Sequence, residues 1–364
     1  MRGVAGLFER SWSGEPGTLA WTKALHTMSI AYAVFSGAAR NRARATRRAV
    51  SGCHVIAIGN LTVGGTGKST IARWLALEAV KAGGRAAILL RGHRAEGAPG
   101  VVPDFEQYPL ATRVARYGDE AVALRLGLPR EVAVAVDPDR RRAARAVRDG
   151  YGARVVILDD GWEQTRLAWD ELWVALDPRR PCGNGSLLPA GPLRRPERTL
   201  RAASRVVFLL EEPGETVPEA TRAWLERVSP GMPALRLQRT LCGASALRDA
   251  SRRLEELAPG SRVAVLSGIG APARLDRFLR GAGLDVRAHT PFPDHARWHA
   301  SDLEAAVSRG GEAGAQMILI TEKDEPRWPA DLDPPLPVRV IRTGVRPLDS
   351  VEEPLRPLRE VSTS

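Results

Sequence analysis

The stretch His54-Val55-Ile56-Ala57-Ile58-Gly59-Asn60-Leu61-Thr62-Val63-Gly64-Gly65-Thr66-Gly67-Lys68-Ser69 decides the fold. Residues 54–58 are an apolar, β-branched run bounded by Gly59-Asn60, the pattern of a strand buried on both faces of a parallel sheet. From Ser69 to Lys81 apolar residues recur at helical spacing (Ile71, Trp74, Leu75, Leu77, Ala79), and the run stops at Gly83-Gly84. A glycine loop between a strand and a helix is the setting of a phosphate-binding loop. Its glycines let backbone N–H groups turn toward phosphate oxygens, and the helix N-terminus adds favourable partial charge. Thr62, Val63, Gly64, Gly65, Thr66, Gly67, Lys68 and Ser69 are therefore the expected nucleotide-binding segment. In it Lys68 would bridge the β- and γ-phosphates, and Ser69 would offer its hydroxyl to Mg²⁺. The strict pattern opens with Gly where this chain has Thr62; Gly64-Gly65 supply flexibility beside it.

Strand and helix signals alternate outward from this segment. Strands are predicted at 86–90, 154–158, 172–176 and 205–210, with helices at 120–126 and 140–148. A Pro/Gly-rich region covers 178–196, and 213–233 reads as a loop or linker. The pattern then restarts with strands at 263–266, 286 and 317–320 and helices at 272–281 and 301–308. This alternation predicts an α/β, P-loop NTPase-like fold: a mainly parallel sheet with helices on both faces, plus a second, smaller α/β domain. The expected division is an N-terminal helical segment (1–50), a phosphate-binding-loop domain (51–235), a smaller C-terminal domain (236–350) and a tail (351–364).

With 364 residues, 44% of them hydrophobic, the chain can bury a large core. Cys53, Cys182 and Cys242 are odd in number and far apart, which argues against a disulfide framework or a zinc site and suits a reducing cytoplasm. The formal charge is +11, and only four of the 53 basic residues are lysine (23, 68, 81 and 323). Arginine abundance is mostly base composition. Against it Lys68 and Lys323 stand out, because a site needing a compact ammonium does not accept a planar guanidinium. The charge suits an anionic partner, and with 5% aromatics and no recognised module nucleic acid is not expected. The apolar run 25–39 is too short to span a bilayer comfortably and is followed by Arg40, Arg42, Arg44, Arg47 and Arg48. It reads either as a helix lying on an anionic membrane or as one packed on the domain.

Four further segments carry candidate chemistry. Asp159 and Asp160 follow an apolar strand, where acidic residues hold a metal or its waters, or start a turn with Gly161. Asp119 in Gly118-Asp119-Glu120 is either a helix cap or a base that orients an attacking hydroxyl. Pro293-Asp294-His295 and Thr321-Glu322-Lys323-Asp324 follow strands of the smaller domain, and Lys323 either reaches the active site or braces the hinge, the hinge-side role being preferred. On these residues alone, a kinase of some hydroxylated acceptor and a nucleotide-gated binding module without acceptor chemistry both stay open.

Taken together the segments resemble the tetraacyldisaccharide 4′-kinase family of the lipid A pathway in Gram-negative bacteria. The matching stretches are GNLTVGGTGKS (59–69), GDE (118–120), DDGWEQTRLAWD (159–170), GNGSLLPAGPLR (183–194), SGIGAP (267–272), FPDH (292–295) and TEKD (321–324). They cover the chain from about residue 50 to 325 in the family's order. The resemblance implies ATP- and Mg²⁺-dependent phosphorylation of the 4′-hydroxyl of a tetraacylated glucosamine disaccharide 1-phosphate, giving lipid IVA. It implies Asp119 as base paired with His295, with Lys68 on the phosphates and Ser69, Asp159 and Asp160 at the metal. Glu120 and Asn184 would meet the substrate. It also implies a monomer docked through its N-terminal helix on the cytoplasmic face of the inner membrane. The chain departs from the family at Trp162-Glu163, where Phe-Gln is usual, at Thr70, where Pro is common, and at Leu90-Arg91-Gly92-His93. Glu163 would add a carboxylate near the metal.

Overall fold

The computed structural model describes residues 19–92, 96–97, 99–101, 109–164, 166–249, 253–270, 272–293, 298–329 and 331–362. Helix α1 (Leu19–Ala45) precedes β1 (His54–Asn60), α2 (Lys68–Lys81), β2 (Ala86–Leu90) and β3 (Gly100–Val101). Next come α3 (Leu110–Tyr117), α4 (Asp119–Leu126), β4 (Val132–Val136), α5 (Arg140–Tyr151), β5 (Val155–Leu158), β6 (Glu171–Leu176) and β7 (Arg205–Leu210). Then follow α6 (Glu219–Val228), β8 (Ala234–Ala246), β9 (Arg262–Ser267), α7 (Pro272–Gly281) and β10 (Asp285–Pro291). The chain continues through α8 (Ala300–Glu312), β11 (Met317–Thr321), β12 (Val338–Pro347) and α9 (Glu352–Ser362).

Among the described residues these strands form one twelve-stranded sheet, ordered β10-β9-β11-β12-β8-β7-β6-β1-β5-β2-β4-β3. Pairing is parallel except for β12 with β8 and β3 with β4. Both faces are covered, as continuous apolar strands require. On one face Ile56, Ile88, Ile157 and Trp173 meet Ile71 and Leu75 of α2, Val122 of α4 and Leu355 and Leu358 of α9. On the other, Val55, Val156 and Val174 meet Val147 of α5 and Trp224 and Val228 of α6. Strands β9 and β11 are covered in the same way, by α8 on one face and α7 on the other.

The segment 213–233, read as a linker, contains α6, whose Trp224, Leu225 and Val228 are buried. The segment after 350 forms α9 and packs on α2. The antiparallel ribbon β8–β12 joins the two halves of the sheet. The first part of β8 (Ala234–Gln238) pairs with β7, and β8 pairs with β12 as far as Ala246. The ribbon's register shifts between Arg342 and Thr343, and opposite that bulge Gly243 has φ 127°.

Helix α1 packs on the domain along one side and leaves apolar residues exposed on another. Its Leu25 and Ser29 are buried, and the Ser29 hydroxyl donates to Leu187 O (2.8 Å) and accepts from Ala190 N (3.1 Å) in the loop 183–194. Met28, Ile30, Val34 and Phe35 are exposed, Phe35 by 76%. The arginines read as following the apolar run, from Arg40 on, begin within the same helix.

Gly59 shows how tightly the strand end is built. A Cβ there would lie 2.5 Å from Trp162 Cβ, a stem atom close to the backbone that cannot swing aside. Gly59→Ala is expected to cost about 1–3 kcal/mol, as overpacking of a filled core does, read as a lower denaturant midpoint at unchanged slope.

Candidate active site

Strands β1 and β5 are parallel neighbours, with Ala57 opposite Leu158, so the segments that follow them emerge at the same sheet edge. Asn60 Nδ2 donates to Thr62 O (2.5 Å), and Val63 N donates to Pro192 O (2.8 Å). Thr62 and Val63 are thus the anchored root of the loop. Gly64 through Thr70 line a cleft of about 1320 Å³. Gly64 (φ 116°) and Gly67 (φ 83°) adopt backbone conformations that other residues rarely enter, and Gly67 stands at the N-cap of α2. The helix opens on Lys68 and has no side-chain cap, so its first N–H groups point at the cleft.

Asp159 is buried, and its Oδ1 accepts the N–H of Asp160 at 2.9 Å. Asp160 takes left-handed backbone (φ 52°), an uncommon state for a non-glycine residue. Its carboxylate meets Lys68 Nζ at 3.4 Å and Arg194 Nη1 at 3.2 Å. Burial works to raise its pKa, but Lys68 and Arg194 outweigh burial and hold it below the ordinary range. Glu120 faces the loop from α4, with Ser69 Oγ donating to its Oε1 at 3.3 Å. Burial first, then the charge of Asp159, push the Glu120 carboxyl up, while Lys323 and Ser69 pull the other way.

Asp119 is not the cap of its helix. Gly118 (φ 86°) occupies that position and Asp119 is the first helical residue. Its Oδ2 accepts from Arg327 Nε at 3.0 Å and Nη2 at 2.5 Å. Asn184 turns into its own loop: Nδ2 donates to Ala190 O (3.0 Å), and Oδ1 accepts Ser186 N (3.0 Å). His295 lies outside the described residues.

Of the two places open to Lys323, it lines the cleft and also the small cavity beside Ser69 and Glu120. The bracing falls to its neighbours. Glu322 accepts Arg73 Nη1 of α2 at 2.6 and 2.7 Å, and Asp324 is fully buried. Glu163 is taken up by Arg195, whose Nε donates to it at 2.7 Å while Nη2 donates to Trp162 O. The departure at Trp162-Glu163 therefore comes with its own countercharge.

Sequence reasoning passed over several arginines that line the cleft. Besides Arg194 there is Arg140, which donates to Leu90 O and Asp137 O and whose pKa burial lowers to about 10. Arg274 of α7 reaches across to Gly65 O (3.1 Å). Arg91, Arg166 and Arg194 lay inside quoted segments, whereas Arg140 and Arg274 did not.

The donor set can be tested against a divalent ion. Among the described residues no group of three or more His, Cys, Asp and Glu forms a closed metal cage. A hydroxyl and carboxylates on a phosphate-binding edge are what Mg²⁺ uses, because it shares its shell with phosphate and water. Ser69, Asp159 and Asp160 meet that description.

A phosphate-binding loop on a mainly parallel sheet, with carboxylates and cations from both halves converging on it, defines a nucleotide-dependent phosphotransferase of the P-loop class. The sequence pattern of the family described as tetraacyldisaccharide-1-P 4′-kinase matches residues 21–354. Curated relatives called tetraacyldisaccharide 4′-kinase include one from Anaeromyxobacter dehalogenans, 38% identical over 92% of this chain and 87% of the relative. Another, from Geobacter sulfurreducens, is 34% identical over 88% and 89%. The chain belongs to the tetraacyldisaccharide 4′-kinase family. In fold it is similar to a crystal structure of LpxK from Aquifex aeolicus in complex with ATP. That comparison has a TM-score of 0.69 and 23% identity, over 94% of this chain and 99% of the other.

Proposed function

We propose that this chain transfers the γ-phosphoryl group of ATP to the 4′-hydroxyl of a tetraacylated glucosamine disaccharide 1-phosphate, giving lipid IVA in lipid A biosynthesis. The observation that carries this is the convergence of Lys68, Ser69, Glu120, Asp159 and Asp160 on one sheet edge in a chain of this family. Lys68 holds the phosphates and, with the helix N-terminus, offsets the charge on the transferring group. Ser69, Asp159 and Asp160 would hold Mg²⁺, which supplies charge neutralisation between phosphates. Asp119 takes the proton of the sugar hydroxyl late in transfer, with His295 as its partner. Glu120 stands beside Ser69 at the same phosphate edge. Asn184 contributes to substrate binding through the loop 183–194, which it holds in shape. We read 51–235 as the kinase domain and 236–350 as the smaller domain that completes the cleft.

Among the described residues no helix is long and apolar enough to cross a membrane. The exposed Met28, Ile30, Val34 and Phe35, with Arg40 and Arg42 further along the same helix, support peripheral docking of a monomer on the anionic cytoplasmic face of the inner membrane. Val34→Ser/Phe35→Ser is expected to weaken pelleting with anionic vesicles by about tenfold or more, from the lost burial of two apolar side chains.

The deciding experiment is phosphate transfer from ATP to a tetraacyl disaccharide 1-phosphate in mixed micelles. No product from that acceptor, with ATP still bound, would sink the substrate assignment and favour another acceptor.

A further inference from the structure

We infer that Arg327 is a positioning residue for this phosphoryl transfer, fixing the Asp119 carboxylate from the smaller half of the molecule; this rests on the reading of Asp119 as the base. Arg327 ends the short 3₁₀ turn Glu325–Arg327 after β11, whereas Asp119 opens α4 beside the phosphate-binding loop. The two guanidinium contacts fall on Oδ2, and Oδ1 accepts the N–H of Glu120 at 2.9 Å. Both carboxylate oxygens are therefore oriented, and the group cannot turn about its last torsion without breaking a charge-assisted bond.

Arg327 is itself held. Its side chain is 8% exposed, and Nη1 donates to Gly268 O at 3.0 Å and lies 3.5 Å from Asp324 Oδ1. Asp324 has no exposure and is anchored by Thr321 Oγ1 (2.6 Å) and Gly268 N (3.0 Å). A solvated surface ion pair has no such scaffold and fixes little. Here the orientation of an acid in one half is set by a fork rooted in the core of the other. A base must sit within a fraction of an ångström of the proton it takes, so this fork bears on rate more than on binding.

The test uses the full-length protein in the mixed-micelle assay, with Arg327→Met, Arg327→Lys, Asp119→Asn and the Asp119→Asn/Arg327→Met pair. Arg327→Met is expected to lower kcat by about 30- to 100-fold, the scale of a misplaced reacting group, while KM for ATP stays within about threefold. Arg327→Lys, which keeps the charge and loses the fork, should fall between wild type and Arg327→Met. The double variant should be no slower than Asp119→Asn alone, because each change disables the same device. A kcat for folded Arg327→Met within about threefold of wild type, or losses that multiply in the double variant, overturns the inference. If Arg327→Met does not fold, Asp324→Asn loosens the anchor: a kcat loss at unchanged KM for ATP supports the inference, and an unchanged kcat overturns it. Wild type that makes no product overturns both this and the functional reading. Active wild type with unaffected variants overturns this alone.

Discussion

Lys68→Met is expected to lower kcat by about 10³-fold, the loss that follows removal of one preorganised charge at a transition state. Methionine fills the same space, so the loop fold and the packing of α2 should survive. Lys68 Nζ stands 3.4 Å from Asp160, and its side chain is 14% exposed, so it works in a partly desolvated site where its charge is poorly screened. Its loss also leaves Asp160 with Arg194 as its main counter-ion. Single-turnover measurement at saturating ATP separates the outcomes. A rate within tenfold of wild type would mean that Lys68 holds the loop together and does not act on the phosphoryl group.

Asp119→Asn is expected to cost about 10²- to 10⁴-fold in kcat, the range for a lost general base. Asparagine keeps the shape and can still accept the Glu120 N–H, but it cannot take a proton. The change also deprives the nearly buried Arg327 of a carboxylate, so about 1–3 kcal/mol of stability should go with the activity. ATP should still bind, since Asp119 stands outside the loop 62–69; an ATP-dependent rise in melting temperature reads this. A nucleotide-gated switch without acceptor chemistry predicts instead that Asp119→Asn leaves function nearly intact.

The fold was most legible where the apolar pattern matches the period of the element, in a strand buried on both faces or a helix buried along one stripe. Residues 86–90, 205–210 and 272–281 match β2, β7 and α7 without adjustment. The passed-over elements have physical reasons. Strand β4 is five residues, Val-Ala-Val-Ala-Val, with little volume to mark it. Strand β8 mixes exposed, intermediate and buried positions because it serves two neighbours in turn. Helix α6 sits between prolines that suggested a linker, and only tertiary burial of Trp224 reveals its face.

The site divided along similar lines. Lysine was informative because it is scarce here, and both lysines singled out line the cleft. Arginine was not, because a chain with 49 of them hides Arg140, Arg194, Arg274 and Arg327 among solvated copies. Long-range pairing separates them: Arg327 meets a residue 208 positions away. Local pattern carries no trace of that distance.

The ribbon β8–β12 has a mechanical meaning. Two units tied by a slack peptide can swing freely, but these share hydrogen-bonded strands, and strands resist sliding and stretching far more than torsion. Rotation of one half against the other must be stored as twist in the ribbon, concentrated where the ladder slips at Arg342/Thr343 and Gly243 relaxes the backbone. A torsion of one half against the other is expected to gather at that slip, where the ladder is interrupted.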